Sequence, residues 1–227
     1  MELSEDMDFH PGRLKQNILF LNDFFSRREM SWTFVIKAFH NYPDFIITEL
    51  ANLPCQSIAS DNPRHLDMLK KLNPNLETWF LNYEGSHDIS EFIDVNLTHS
   101  AHSMDQKSCL MLAIDEVRHG ESFKSFSEEK YSKVGAYLDC EKLPDLHFFE
   151  KWKKLKISSG ILQSIGTSVS FEIMDYLQDI GVNHYRLGEL VLTGKGVEQC
   201  NNISGMRQDV FEASRPVSYN LISNIDI

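Results

Sequence analysis

Apolar and polar positions divide this chain into short β-branched or aromatic runs separated by stretches of helical spacing. Leu14–Phe25 (LKQNILFLNDFF) carries apolar residues at helical intervals, just after the punctuation of Pro11-Gly12. Ser31–His40 (SWTFVIKAFH) follows as an apolar run bounded by polar residues, and predicts a buried strand over about Thr33–Ala38. Further strands are predicted at Gln56–Ser60, Glu77–Tyr83, Phe92–Leu97, Ser108–Val117, Lys133–Leu138, Leu155–Ile157 and Asn183–Leu192. Helices are predicted at Asp44–Leu53, Pro63–Leu72, Leu146–Lys154 and Phe171–Gln178, with helical turns from Gly85-Ser86, at Met104–Lys107 and at Ser127–Tyr131. Strand and helix thus alternate about eight times with short connections, which implies parallel strands joined by helical crossovers. The expected class is α/β, a (β/α)8 barrel with some helices shortened, above all between Val117 and Lys133. After Gly194 the alternation stops. The expected division is a barrel over residues 1–198 and a tail over 199–227 with room for one more strand.

Composition narrows the partners. The 227 residues carry a formal net charge of -11, which argues against nucleic acid and against anionic membrane surfaces. Hydrophobic residues make up 42% and charged residues 24%, enough to bury a real core. No apolar run is long enough to span a bilayer and the acidic start MELSEDMD is no signal peptide, so a cytoplasmic protein is expected. Cys55, Cys109, Cys140 and Cys200 are dispersed, which predicts reduced and mostly buried thiols.

In a barrel of this kind chemistry collects where the strands end. Those ends read Lys37, Ser60, Tyr83, His99, Arg118 with His119, Asp139 with Cys140, Ser158-Ser159-Gly160, and Arg186. Lys37 is the odd member, a cation near the end of an apolar strand. Desolvation penalises its charged form and favours the free amine that Schiff-base chemistry needs; the bland alternative is a lysine that reaches back to water. The set lacks a glycosidase's carboxylate pair. Glu116-x-x-His119 would need a helical face and a second copy to be half of a di-iron site, and it has neither, so no metal is expected.

Four stretches carry a family resemblance. WTFVIKAFHNYPD resembles a first strand ending in Val-x-Lys, FIDVNLTHS resembles "ADVSLNSE", and LMLAIDEVRHG resembles "LMVDLGDLREG". VNHYRLGELVLTG, followed by GMRQDVF, is similar to "INHLRIGEAILLG" followed by "GLHQDAF". In these motifs the chain resembles the alanine-racemase-like, fold-type III pyridoxal-phosphate barrels, nearest the branch that includes ornithine racemase, and they keep the family's order over most of the chain.

The resemblance implies pyridoxal 5'-phosphate as cofactor, Lys37 as the Schiff-base lysine and base on one face, and Arg186 against the pyridine nitrogen from across the barrel. Ser158, Ser159, Gly160, Gln163 and Ser164 are the implied phosphate cradle. Here Ser-Ser-Gly-Ile-Leu-Gln replaces the usual Ser-Gly-Gly-Asn-Ser-Ser, and an ordinary polar turn stays open as the alternative. Arg118 matches the family's arginine after the fifth strand and is implied to support the cofactor or a substrate carboxylate. His119 stands where the family has Glu, and its role stays open. The family's β-rich C-terminal domain, which supplies an opposite-face tyrosine from a dimer partner, has no counterpart expected in residues 199–227, and Tyr219 does not inherit that role. The implied activity is on an α-amino acid, racemase or epimerase by default, with a lyase or specialised biosynthetic enzyme as the alternative. A non-catalytic, single-domain cofactor-binding or homeostasis protein is a reading from another class. A homodimer or a complementing subunit is the expected partner.

Overall fold

The computed structural model describes residues 7–39, 43–82, 96–100, 110–113, 133–137, 153, 162–166, 174–196 and 202–213. A short strand β1 (Met7–Phe9) leads into helix α1 (Pro11–Ser26). Pro11 opens α1, where a missing N–H costs nothing, and Leu14, Ile18, Leu21 and Phe25 form its buried stripe. Asn17 lies on that apolar stripe because its amide is fully used. Nδ2 donates to the carbonyls of Val191 and Arg207, each at 2.8 Å, and Oδ1 accepts from the Arg207 N–H at 2.6 Å.

Then come β2 (Ser31–Val35), a single 3-10 turn (Lys37–Phe39), α2 (Asp44–Ala51), β3 (Ser57–Ser60), α3 (Pro63–Leu72) and β4 (Glu77–Asn82). α3 starts where Asn62 caps the Arg64 N–H at 3.1 Å and Pro63 fills the first helical position. Strands β5 (Asn96–Ser100), β6 (Leu110–Ala113), β7 (Lys133–Tyr137), β8 (Leu162–Gly166) and β9 (His184–Leu187) follow, with α4 (Met174–Asp179) before β9 and α5 (Glu189–Thr193) after it. β10 (Phe211–Ala213) comes last.

From β2 to β9 each strand pairs in parallel with the next, and β9 pairs back onto β2. This is a TIM-type parallel arrangement. Its interior shows in side chains that meet from unpaired strands: the Trp79 indole of β4 stacks on the His184 ring of β9 at 5.0 Å and 7°. Val35, Ala59, Trp79 and Leu81 form a buried cluster with Leu162 against it, whereas Trp32, Phe34, Ile58, Ile165 and Tyr185 belong to the larger core shared with the helices. The strands therefore alternate, one face to the interior and one to the helical layer.

Several boundaries differ from the sequence reading. Lys37 is not inside a strand: β2 stops at Val35 and Lys37 opens the 3-10 turn. The expected strand Asn183–Leu192 splits at Gly188 into β9 and α5, whose Leu190, Val191 and Leu192 are all buried. Gly194 ends α5 at φ +62°, and a Cβ there would stand 2.5 Å from the Arg207 carbonyl oxygen. The strand between β7 and β9 is Leu162–Gly166, while the expected Leu155–Ile157 lies outside the described residues. ILQSIG offers small interior-facing residues, Ser164 and Gly166, where the interior must admit a large side chain from β9. Outside the described residues, too, lie the helical turns expected from Gly85-Ser86, at Met104–Lys107 and at Ser127–Tyr131, and the helix Leu146–Lys154 save Lys153.

The further strand expected in the tail is β10, and it pairs antiparallel with β1, which the sequence reading had not anticipated. Phe9 and Phe211 meet at 5.2 Å across this two-stranded sheet. Arg13 joins its Glu212 carboxylate at 2.6 Å and Asp209 at 3.1 Å.

Candidate functional site

The C-terminal end of β2 presents Lys37. Its backbone is tied on both sides: the Ile36 N–H donates to the Ala59 carbonyl of β3 at 2.8 Å, and the Phe39 N–H closes the turn on the Ile36 carbonyl at 2.9 Å. Phe39 is fully buried and makes edge or tilted contacts with Phe34 at 6.3 Å, Phe9 at 5.8 Å and Phe211 at 5.6 Å. Lys37 itself is half-buried. The β1–β10 sheet thus clamps the turn that carries the lysine, and Phe39 is a residue the sequence reading passed over. An aromatic two residues after the lysine, matched by Phe9 and Phe211 near the two ends of the described chain, was the available signal.

Arg186 lies on β9, paired directly with β2 rather than across the barrel from it; Thr33 is its Cα partner. Lys37 is four residues beyond Thr33, at most about 13 Å up the strand direction at ~3.3 Å per residue. The Arg186 side chain is 1% exposed, and Nη1 donates to Ser164 Oγ at 2.6 Å. A buried guanidinium is costly unless acceptors meet it, and the interior is shaped for it. Gly166, its Cα partner on β8, would put a Cβ 2.5 Å from Nη2 if it were any other residue. Gly166 was absent from the predicted site.

Below Arg186 runs a polar ladder. Ser164 Oγ lies 2.6 Å from His184 Nδ1, His184 Nε2 lies 2.9 Å from Thr33 Oγ1, and Thr33 Oγ1 lies 2.7 Å from Ser57 Oγ. All four residues are buried.

Of the predicted site residues, the structure brings Ser164 and Arg186 together and sets Lys37 at the end of the neighbouring strand. Ser164 lies within β8 and meets the guanidinium. Gln163 is not brought into this set. It is on the outer face of β8, and a Cβ on Gly181, in the turn before β9, would lie 2.8 Å from its Nε2. Arg118, His119, Ser158, Ser159 and Gly160 lie outside the described residues, and the last three precede β8 in the chain rather than follow it. A cleft of about 410 Å³ lined by Asn22, Ser31, Trp32 and Gln56, among others, sits where β2 and β3 begin, away from the strand ends.

A lysine amine at a strand end and a buried guanidinium on the adjoining strand are a donor set suited to pyridoxal phosphate. The lysine can take an aldehyde, and the arginine can donate to a ring nitrogen without giving up its proton. No family model matches the chain, and no curated protein does. Solved structures do match in fold. An alanine racemase from Bartonella henselae with covalently bound pyridoxal phosphate superposes at TM-score 0.64 and 13% identity, covering 88% of this chain and 63% of that one. The alanine racemase of Corynebacterium glutamicum gives 0.58 and 12%, covering 85% and 63%. That of Clostridium difficile 630 gives 0.54 and 13%, covering 85% and 60%. The chain spans about three-fifths of the length of these racemases, and at such identities the likeness is one of fold.

Proposed function

We propose that this protein is a pyridoxal-phosphate-dependent enzyme of the alanine-racemase-like family, in its ornithine/amino-acid racemase branch, with a complete (β/α)8 barrel. Its proposed reaction is the racemisation or epimerisation of an α-amino acid. The observation that carries the reading is the pairing of β2 with β9. It sets Lys37 at the end of one strand and a buried Arg186, laid across Gly166, on the next. When bound, pyridoxal phosphate supplies an aldehyde for an amine and a ring that draws electron density from the substrate Cα. Lys37 Nζ would hold the cofactor's aldehyde, and its free amine would be the base that takes and returns the Cα proton on one face. Arg186 keeps its proton and would donate a hydrogen bond to the ring nitrogen rather than protonate it, leaving the ring a moderate electron sink.

The phosphate end is proposed to lie at the C-terminal end of β8, beyond Gly166. Ser158→Ala, before that strand in the chain, is then expected to leave cofactor binding nearly unchanged, as read by fluorescence titration. Arg118 is proposed to meet the substrate carboxylate. A second chain is the proposed source of an acid on the opposite face, with residues 1–198 as barrel and 199–227 as a tail, of which Phe211–Ala213 pairs with β1.

The test is direct. Protein incubated with pyridoxal phosphate is expected to show the absorption band of the lysine-bound cofactor, and Lys37→Ala to abolish it. With amino acids in deuterated water, at least one should exchange its Cα hydrogen. A protein that stays colourless overturns the proposal; a coloured protein that exchanges no amino acid is a cofactor binder without proton transfer.

A further inference from the structure

The polar ladder inside the barrel has a direction that its members' chemistry decides. Arg186 can only donate, so Ser164 Oγ accepts at 2.6 Å. Were the His184 Nδ1 to carry hydrogen, Ser164 would accept from both neighbours and its own hydroxyl hydrogen could bond to neither of them. The lower-energy arrangement sends the Ser164 hydrogen to Nδ1 at 2.6 Å, which leaves Nε2–H to donate to Thr33 Oγ1 at 2.9 Å. Thr33 then passes its hydrogen to Ser57 Oγ at 2.7 Å. The imidazole plane cannot swing to another partner, because the Trp79 indole lies flat on it.

We infer that His184 is a positioning residue for Arg186: fixed as the neutral Nε2–H tautomer, it turns the Ser164 hydroxyl so that a lone pair, not a hydrogen, faces the guanidinium. The inference rests on the proposed cofactor reading for its catalytic meaning, but the ladder itself requires no cofactor. His184 touches neither substrate nor cofactor in this role; it acts through Ser164. The pair aims a guanidinium that lies against the face of Gly166. In a low-dielectric interior a reversed hydroxyl dipole beside the cation would be strongly unfavourable, so the orientation is well determined.

The first measurement uses cofactor-free protein with ¹⁵N-labelled histidine rings. A bare Nδ1 and a protonated Nε2 are expected for His184 around neutral pH, and Ser164→Ala should disturb that ring's signals most among the nine histidines. An Nδ1–H tautomer, or a doubly protonated ring, overturns the inference. This measurement decides the ladder even where pyridoxal phosphate is not taken up, so its failure and that of the cofactor reading are distinguishable. The second measurement compares variants of the cofactor-loaded protein. Ser164→Ala and His184→Leu are expected to shift the absorption maximum alike and to weaken cofactor binding roughly 10- to 100-fold. His184→Asn, which keeps an acceptor near the Nδ1 position, should restore most of both. The double variant Ser164→Ala/His184→Leu should be no worse than the more severe single change, since both act through one hydrogen bond. Additive losses, or an unshifted band in Ser164→Ala, overturn the inference; Ser164→Ala removes a single oxygen and keeps the test open should His184→Leu not fold.

Discussion

At the scale of single residues, the interior is organised around one guanidinium. Gly166 illustrates how tightly. Gly166→Ala would bring a methyl group to 2.5 Å from Nη2, and the displaced Arg186 would lose its fixed place against Ser164. Overpacking of this kind costs about 1–3 kcal/mol. A lowered Tm together with weakened pyridoxal phosphate binding is therefore expected, and a fully native cofactor titration would contradict it. Arg186→Lys is not a conservative change either, because an ammonium lacks the planar fork that spans Ser164 and the face of Gly166. Cys55 is the contrasting case. It is a free, buried thiol that burial pushes up to about 12, so native protein should alkylate there only as fast as it opens. Mass spectrometry after brief iodoacetamide treatment at pH 8 should find Cys55 unmodified.

Elements rather than residues decide where the lysine points. The 3-10 turn after β2 is tied to β3 through Ile36 and locked from outside by Phe39 against Phe9 and Phe211. Phe39→Ala should cost roughly 3–5 kcal/mol in a urea unfolding curve. Phe39→Leu is the more telling variant: it should fold, yet take up pyridoxal phosphate more slowly than wild type in a stopped-flow absorbance trace. The β1–β10 sheet that does the clamping has its own pH limit. Asp209 is held down to about 2, chiefly by the hydrogen bond from Arg207, and Glu212 is lowered chiefly by the one from Arg13. A carboxyl depressed in the fold contributes fully above its unfolded value, about 4, and stops contributing as pH falls through the folded one. The amide resonances of Phe9 and Phe211 should hold steady down to about pH 4 and move between about 4 and 2. Asp209→Asn should lessen that movement; an unchanged profile would remove these carboxylates from the account.

For the molecule as a whole, the barrel's strand order was legible because parallel strands under helices read as apolar runs, and such runs recur through the chain. Much less of the site could be read. Lys37 stood out as a charge in an apolar run and Arg186 through the family resemblance, but their adjacency depends on the pairing of β2 with β9, which no local pattern reveals. Ser164, His184 and Thr33 look like ordinary polar residues until three strands bring them together. The strand Leu162–Gly166 was passed over because ILQSIG reads as a polar turn in isolation, and only the need for small residues beside Arg186 singles it out. Closure also predicts cooperative unfolding. Trp32 reports the helix-facing layer and Trp79 the interior. Variants in which Trp152 and one of these two are replaced, so that a single tryptophan remains, should lose structure at the same denaturant concentration, and two separate midpoints would show that interior and outer layer melt apart.

The pairing of β1 with β10 also has a meaning in time. Residues 7–9 emerge from the ribosome about two hundred residues before their partners at 211–213. Until then Phe39 has one side of its pocket uncovered, and the turn that carries Lys37 lacks its clamp. A nascent chain not yet made through residue 213 therefore lacks this clamp, and the order of the turn waits on the pairing of β10 with β1.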